Sequence, residues 1–83
     1  MVTVRDNPER SRYELVRDGD VIGHASYRLD GPRLVVPHVE VDRAEEGQGL
    51  GSQLCAGLLE DALKRGLSVV PACPFLARYM ERD

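Results

Sequence analysis

The sequence predicts a mixed α+β domain, an antiparallel β-meander followed by a β-α-β crossover and a C-terminal helix, in the order β-β-β-α-β-α. Three observations carry that prediction. Turn signals at Asp18-Gly19 and at Asp30-Gly31-Pro32 separate short runs of strand-like residues. One longer stretch, beginning at Gly49, repeats apolar residues at helical spacing. A short apolar run then leads into a proline-started segment, which reads as strand and helix.

Taken in order, residues 1–12 hold charges, Pro8 and few apolar groups, and read as a loose lead-in. Residues 13–16 form a short strand, closed by the hairpin turn Arg17-Asp18-Gly19-Asp20. Residues 21–29 continue as a second strand with Val21, Gly23, Ala25, Tyr27 and Leu29 on one face. The third strand runs from 33 to about 41. Strict alternation puts Val35, Pro37, Val39 and Val41 on one face and Leu34, Val36, His38 and Glu40 on the other. Pro37 donates no ladder hydrogen bond, so an edge, a bulge or a splay is expected there.

The main helix spans 49 to about 65. Leu50, Leu54, Leu58 and Ala62 recur every fourth residue, Cys55, Leu59 and Leu63 widen the stripe, and Gly66 caps the end. Residues 67–70 follow as a short apolar strand expected to be buried, and residues 75–81 as the last helix, with Pro74 at its start. A crossover from the third strand through the helix makes the third and fourth strands parallel neighbours.

The whole chain of 83 residues is read as one domain. With 42% hydrophobic and 30% charged residues it has the composition of a folded soluble protein. A net charge of −3 lacks the basic footprint of a nucleic-acid binder. No apolar run approaches the ~18 residues of a membrane span, and the polar start does not resemble a secretory signal, so a cytoplasmic chain without membrane partners is expected. The two cysteines, Cys55 and Cys73, match neither a disulfide framework nor a zinc spacing. Both read as free thiols, and no metal site is expected.

The strongest chemical signal is the turn Glu46-Gly47-Gln48-Gly49-Leu50-Gly51, lying between a strand and a helix. Free backbone N–H groups at the positive end of a helix dipole attract anions, and glycines let a phosphate approach closely. A turn that needs glycine only for positive φ is the plainer alternative. No Walker lysine follows the glycines, and their G-x-G-x-G spacing is not that of a dinucleotide-binding loop.

Residues 41–54, VDRAEEGQGLGSQL, resemble the acyl-CoA-binding motif of the GNAT superfamily of N-acyltransferases, whose pattern is Gln/Arg-x-x-Gly-x-Gly/Ala. HVEV at 38–41 and VVPACPFLARYMERD at the C-terminus are similar to the small, single-domain YjdJ-type branch, with its proline-any-cysteine-proline-phenylalanine signature. The resemblance covers roughly residues 13–83. It implies a GNAT-like fold and an acetyl-CoA-dependent N-acetyltransferase whose acceptor is an unidentified amine, small molecule or protein. Val39 and Val41 would flank the pantetheine arm, and Gln48, Gly49, Gly51 and Ser52, with Glu46, Gly47 and Leu50 in the same turn, would meet the pyrophosphate of coenzyme A. Glu46 departs from the motif, because the usual residue there is Gln or Arg. Its carboxylate and that of Glu45 should repel phosphate by about 1 kcal/mol each if exposed and near. Arg43, or Lys64 and Arg65, would offset part of that.

His38 and Glu40 are the candidate bases for the amine, since a histidine titrates near neutrality unaided and a glutamate needs a raised pKa. A plain structural hydrogen bond is the other reading of His38. Cys73, at the start of the last helix, is a candidate acyl-accepting nucleophile, a thiol lining the acyl pocket, or a small buried residue. His24 reads as solvated surface, and Tyr13, Tyr27, Phe75 and Tyr79 as packing groups. A coenzyme A-binding module with little catalysis is the alternative function, and a monomer or weak dimer is expected.

Overall fold

The computed structural model describes residues 1–81. One five-stranded sheet has the order β1-β2-β3-β4-β5: Val2–Asn7, Arg12–Arg17, Asp20–Asp30, Arg33–Val41 and Ser68–Pro71. β1 to β4 form an antiparallel meander, and β5 pairs parallel to β4. Between them run α1 (Leu50–Lys64) and, after β5, α2 (Pro74–Glu81). The predicted order is therefore present, preceded by one more strand.

That strand corrects the expectation of a loose lead-in. In β1, Val2 and Val4 alternate with exposed Thr3 and Arg5, and both valines pack against the core. Two apolar residues are too weak a period to recognise in isolation; tertiary packing stabilises them. Val4 lies so close to α1 that a Cβ at Gly57 would stand 2.6 Å from its Cβ. The helix carries a glycine in its middle at the point where β1 presses on it.

The core forms between one face of the sheet and the helices. Tyr13, Leu15, Ile22, Ala25, Tyr27, Leu34 and Val36 meet Leu50, Leu54, Cys55, Leu58, Ala62 and Leu76. The helical stripe is as expected except at Leu63, which is exposed. α1 ends in a double backbone bond, Leu67 N–H to Ala62 and Gly66 N–H to Leu63, with Gly66 at φ +71°. This is the glycine-terminated helix end anticipated from Gly66. β5 is half-buried rather than buried, because it is the edge of the sheet.

Two irregularities set which side chains face the helices. Leu15 pairs with Gly23 but Val16 with Val21, so β3 carries an extra residue, Ile22, turned into the core. Val21 consequently leaves the inward face expected of it, whereas Leu29 stays opposite the core residue Leu34 and is exposed near the strand's end. Further along, β3 advances from Ser26 to Arg28 while β4 advances from Val35 to His38. β4 thus has one extra residue beside Pro37. An inserted residue swaps the faces beyond it. Leu34 and Val36 before the bulge, and Val39 and Val41 after it, all pack toward the helices. His38 and Glu40 point to the opposite face, so they do not share a face with Leu34 and Val36 as strict alternation required. The bulge at Pro37 is the outcome its missing N–H predicted.

The open face is polar but ordered. Glu14, 2% exposed, takes Arg5, Arg12 and Asn7 as partners at 2.9–3.1 Å. Burial pushes its carboxyl up, but the hydrogen bonds from Arg12, Asn7 and Arg5 outweigh that and hold it below the usual carboxylate range.

Candidate functional site

The β4–β5 ladder pairs Arg33 with Ser68 through Val36 with Pro71, and ends with the Ala72 N–H donating to Val36. Beyond the bulge β4 continues to Val41, paired with β3 on one side and, among the described residues, with no strand on the other. The sheet therefore splays between its last two strands. The chain then passes through a short helical turn, Arg43–Glu45, and the glycine turn into α1.

A groove of about 330 Å³ occupies this splay on the helix side. Val39, Val41, Leu50 and Phe75 supply its apolar wall, and Glu45, Glu46, Gly47, Gly49, Gly51 and Ser52 its mouth. Gly49 caps α1 in the left-handed region at φ +73°, and Gly47 lies at φ +87°. Both angles lie in the left-handed region that favours glycine. No side chain caps the start of the helix among the described residues. Among the described residues, none of the backbone N–H groups of Gly47, Gln48, Gly49, Leu50, Gly51 and Ser52 donates to a protein acceptor. Helix starts leave their first donors unsatisfied, normally to be met by a cap or by water. A run of them at a positive dipole end, facing a concave surface, fits an anion. At Gly51 the neighbour is different: a Cβ there would sit 2.8 Å from the tip of the Phe75 ring.

The electrostatics differ from the sequence expectation. Glu45 is held by Arg17, with 2.6 Å between Nη2 and Oε2, so the hairpin turn of β2–β3 supplies the compensating cation. Arg65 lies at the far end of α1, bonded to Asp6, Asp61 and the Tyr13 hydroxyl; Lys64 is at that end too. Neither can offset charge at the turn. Glu46 keeps an exposed carboxylate at the mouth.

Of the residues singled out from sequence, Val39, Val41, Glu46, Gly47, Gly49, Leu50, Gly51 and Ser52 come together around the groove. The Gln48 side chain does not line it and donates to Glu45 at 3.4 Å. His38 and Glu40 form a pair, Nε2 to Oε1 2.9 Å, on the open face of the sheet beside the bulge. The hydrogen bond from His38, with the charge of His24, holds the Glu40 carboxyl below its usual range. Cys73 takes the buried position that is one of its three readings from sequence. It is 7% exposed, does not line the groove, and lies near Cys55 in the core. Burial, followed by the neighbouring Cys73, pushes the Cys55 thiol up to about 11. Sequence reasoning missed Arg17 and Phe75. Only the aromatic-after-proline position hinted at Phe75, which stands half-exposed over Gly51.

Comparison with known proteins agrees with this architecture. The family model described as GCN5-related N-acetyl-transferase matches residues 12–83. The fold is similar to that of an N-acetylglutamate synthase from Neisseria gonorrhoeae, solved in complex with coenzyme A and N-acetyl-glutamate. The TM-score is 0.64 at 17% identity, and the match covers 98% of this chain but 22% of the synthase. No curated protein sequence matches the chain significantly. Among the described residues, no helix is long and apolar enough to cross a membrane.

Proposed function

Because the chain belongs to the GCN5-related N-acetyltransferase family, we propose that it transfers an acetyl group from acetyl-CoA to an amine. The observation that carries this reading is the run of unsatisfied N–H groups from Gly47 to Ser52 at the mouth of a groove that continues into the β4–β5 splay. The donor set fits a pyrophosphate. The apolar wall of Val39, Val41, Leu50 and Phe75 fits an extended pantetheine arm. Among the described residues, β4 beyond Pro37 has no strand partner on that side, which leaves backbone groups for amide-to-amide bonding.

Four features of this chain do the work. The turn amides bind and orient the coenzyme's phosphates. A backbone N–H of β4 near Val39 to Val41 stabilises the oxyanion that develops as the carbonyl is attacked. His38, on the open face beside the splay, takes the proton from the incoming ammonium. Glu40 is an ionised carboxylate too weak to be that base; it accepts from His38 Nε2 and leaves Nδ1 to receive the proton. The amine nitrogen then bonds to the acetyl carbonyl carbon, the carbon–sulfur bond breaks, and the thiolate leaves to be protonated. Burial of Cys73 favours this direct attack over an acetyl-cysteine intermediate.

Titration with acetyl-CoA, followed by backbone amide NMR, tests the reading. Shifts should centre on residues 47–52 and on Val39 and Val41. Their absence would remove both the enzymatic and the coenzyme-binding readings. Shifts without turnover on any amine of a broad panel would leave a coenzyme A-binding module. H38A should abolish most turnover with little change in acetyl-CoA affinity, and C73A should leave sequential kinetics intact.

A further inference from the structure

The open face of the sheet carries a cluster that acetyl transfer uses only in part. His24 of β3 stands directly opposite Glu40 of β4, and His38 lies two pairs along, opposite Ser26 and on the same face. One donor atom from each of His24, His38 and Glu40 lies within 4.8 Å of the other two. His38 Nε2 is 2.9 Å from Glu40 Oε1, and the two imidazole centroids are 5.9 Å apart. Sequence alone left His24 as solvated surface. The β3–β4 register and the extra residue at Pro37 bring it against the pair.

We propose that His24, His38 and Glu40 form a binding site for a divalent transition-metal ion of the zinc class. Two imidazoles and a carboxylate suit zinc, nickel or copper, whereas magnesium and calcium select oxygen donors. Three protein ligands leave a position for water, as in open zinc sites. Donors on one zinc ion at about 2.0–2.1 Å sit roughly 3.3 Å from each other. The cluster would have to close to that spacing from separations of up to 4.8 Å, and the side chains of His38 and Glu40 are more than half exposed. Two adjacent hydrogen-bonded strands hold all three Cα positions, so little order is lost on binding. The nearby guanidinium groups of Arg5 and Arg12 are both turned onto Glu14, which offsets part of their repulsion of a cation. An ion held there engages the His38 imidazole, so zinc should inhibit acetylation. That consequence rests on the transfer reading, but binding of the ion does not.

The test uses the full chain without a histidine tag. Zinc chloride is titrated by calorimetry and followed by long-range 1H–15N spectra of the imidazoles. One ion should bind per chain, with the His24 and His38 ring resonances shifting together. Substituting outer-shell partners of metal sites already costs about 10–100-fold in affinity, so H24A should weaken binding by at least about tenfold at an unchanged melting temperature. H24Q serves if H24A does not fold, and the wild-type ring shifts are readable without either variant. Unchanged zinc affinity in the His24 variants, ring shifts absent from either histidine, or non-saturating uptake of several ions would overturn the site. A chain that binds zinc through these rings yet acetylates nothing would sustain the site and count against the transfer reading.

Discussion

Replacing Gly49 separates the backbone role of the turn from its ligand role. Gly49 adopts φ +73° and ψ 15° as the cap of α1, and a Cβ built there meets nothing within 4 Å. Alanine at this position therefore clashes with no neighbour. Its cost is conformational, about 1–2 kcal/mol for an L-residue held in the left-handed region. In a domain of this size each kcal/mol lowers Tm by about 4–8 °C, which puts Gly49→Ala about 4–16 °C below wild type. Asparagine tolerates that region better, so Gly49→Asn should recover most of the loss. Affinity follows another rule, because Gly49 itself lines the groove among the unsatisfied N–H groups, where an added side chain competes with a phosphate for space. A lost hydrogen bond to a charged group costs about 1.5–3 kcal/mol, so acetyl-CoA should bind at least roughly tenfold more weakly to both variants. Circular-dichroism melts and calorimetric titration measure the two effects separately. An unaltered Tm in Gly49→Ala would refute the conformational argument. A Gly49→Asn variant that binds acetyl-CoA like wild type would refute the placement of phosphate at this turn.

Further expectations follow from the same contacts. Gly57→Ala gains up to about 1 kcal/mol of helix propensity, but its Cβ would meet Val4 Cβ and Cγ2 at 2.6 Å, an overpacking that costs about 1–3 kcal/mol. A lower Tm is expected, with the Val4→Ala/Gly57→Ala pair more stable than the two single losses add up to; strict additivity would contradict the contact. Glu46→Gln removes an exposed carboxylate worth about 1 kcal/mol of repulsion and should tighten acetyl-CoA binding roughly fivefold at low salt. Arg17→Ala should act in the opposite direction by freeing Glu45, and calorimetry reads both signs. Burial, then the hydrogen bond and charge of Asp6, pushes the Tyr27 hydroxyl up to about 12. The folded state therefore keeps a proton that the unfolded chain releases from about pH 10. That stability is fully present below pH 10 and is lost as pH rises toward 12. Tyr27→Phe should flatten the alkaline limb of Tm against pH. Glu14 acts at the other end: its lowered carboxyl pKa gives stability present above the usual carboxylate range and lost as pH falls below it. An acid limb unchanged in Glu14→Gln would count against that assignment.

The parts of this molecule legible from sequence are those set by local backbone preference. The stripe Leu50, Leu54, Leu58, Ala62 repeats every turn of a helix whatever surrounds it. Asp18 and Gly19 both sit at positive φ, as a tight hairpin requires. Gly66 ends α1 as its lack of a Cβ suggests. Pro37 announced a break in the β4 ladder because it has no N–H to give. The glycine turn announced donors without acceptors because its spacing and its neighbours specify it within a few residues.

What the sequence left open depends on partners distant in the chain. β1 is a strand because Val2 and Val4 find the face of α1 more than forty residues later, and two valines carry no period of their own. Proline marked a disturbance at 37, yet only pairing with β3 decided that it is one extra residue. That single residue sends His38 and Glu40 to the open face and Val39 and Val41 to the groove. Arg17 neutralises Glu45 across the sheet, a pairing between two turns that no local spacing encodes. Cys73 has the sequence position of a helix-capping thiol, but the packing of α2 on α1 buries it beside Cys55. Sequence by itself therefore determined that a helix start with unspent donors exists and which residues compose it. The tertiary structure decided which side chains face it, because register and burial are set by contacts between elements and a one-residue shift reverses every face beyond it.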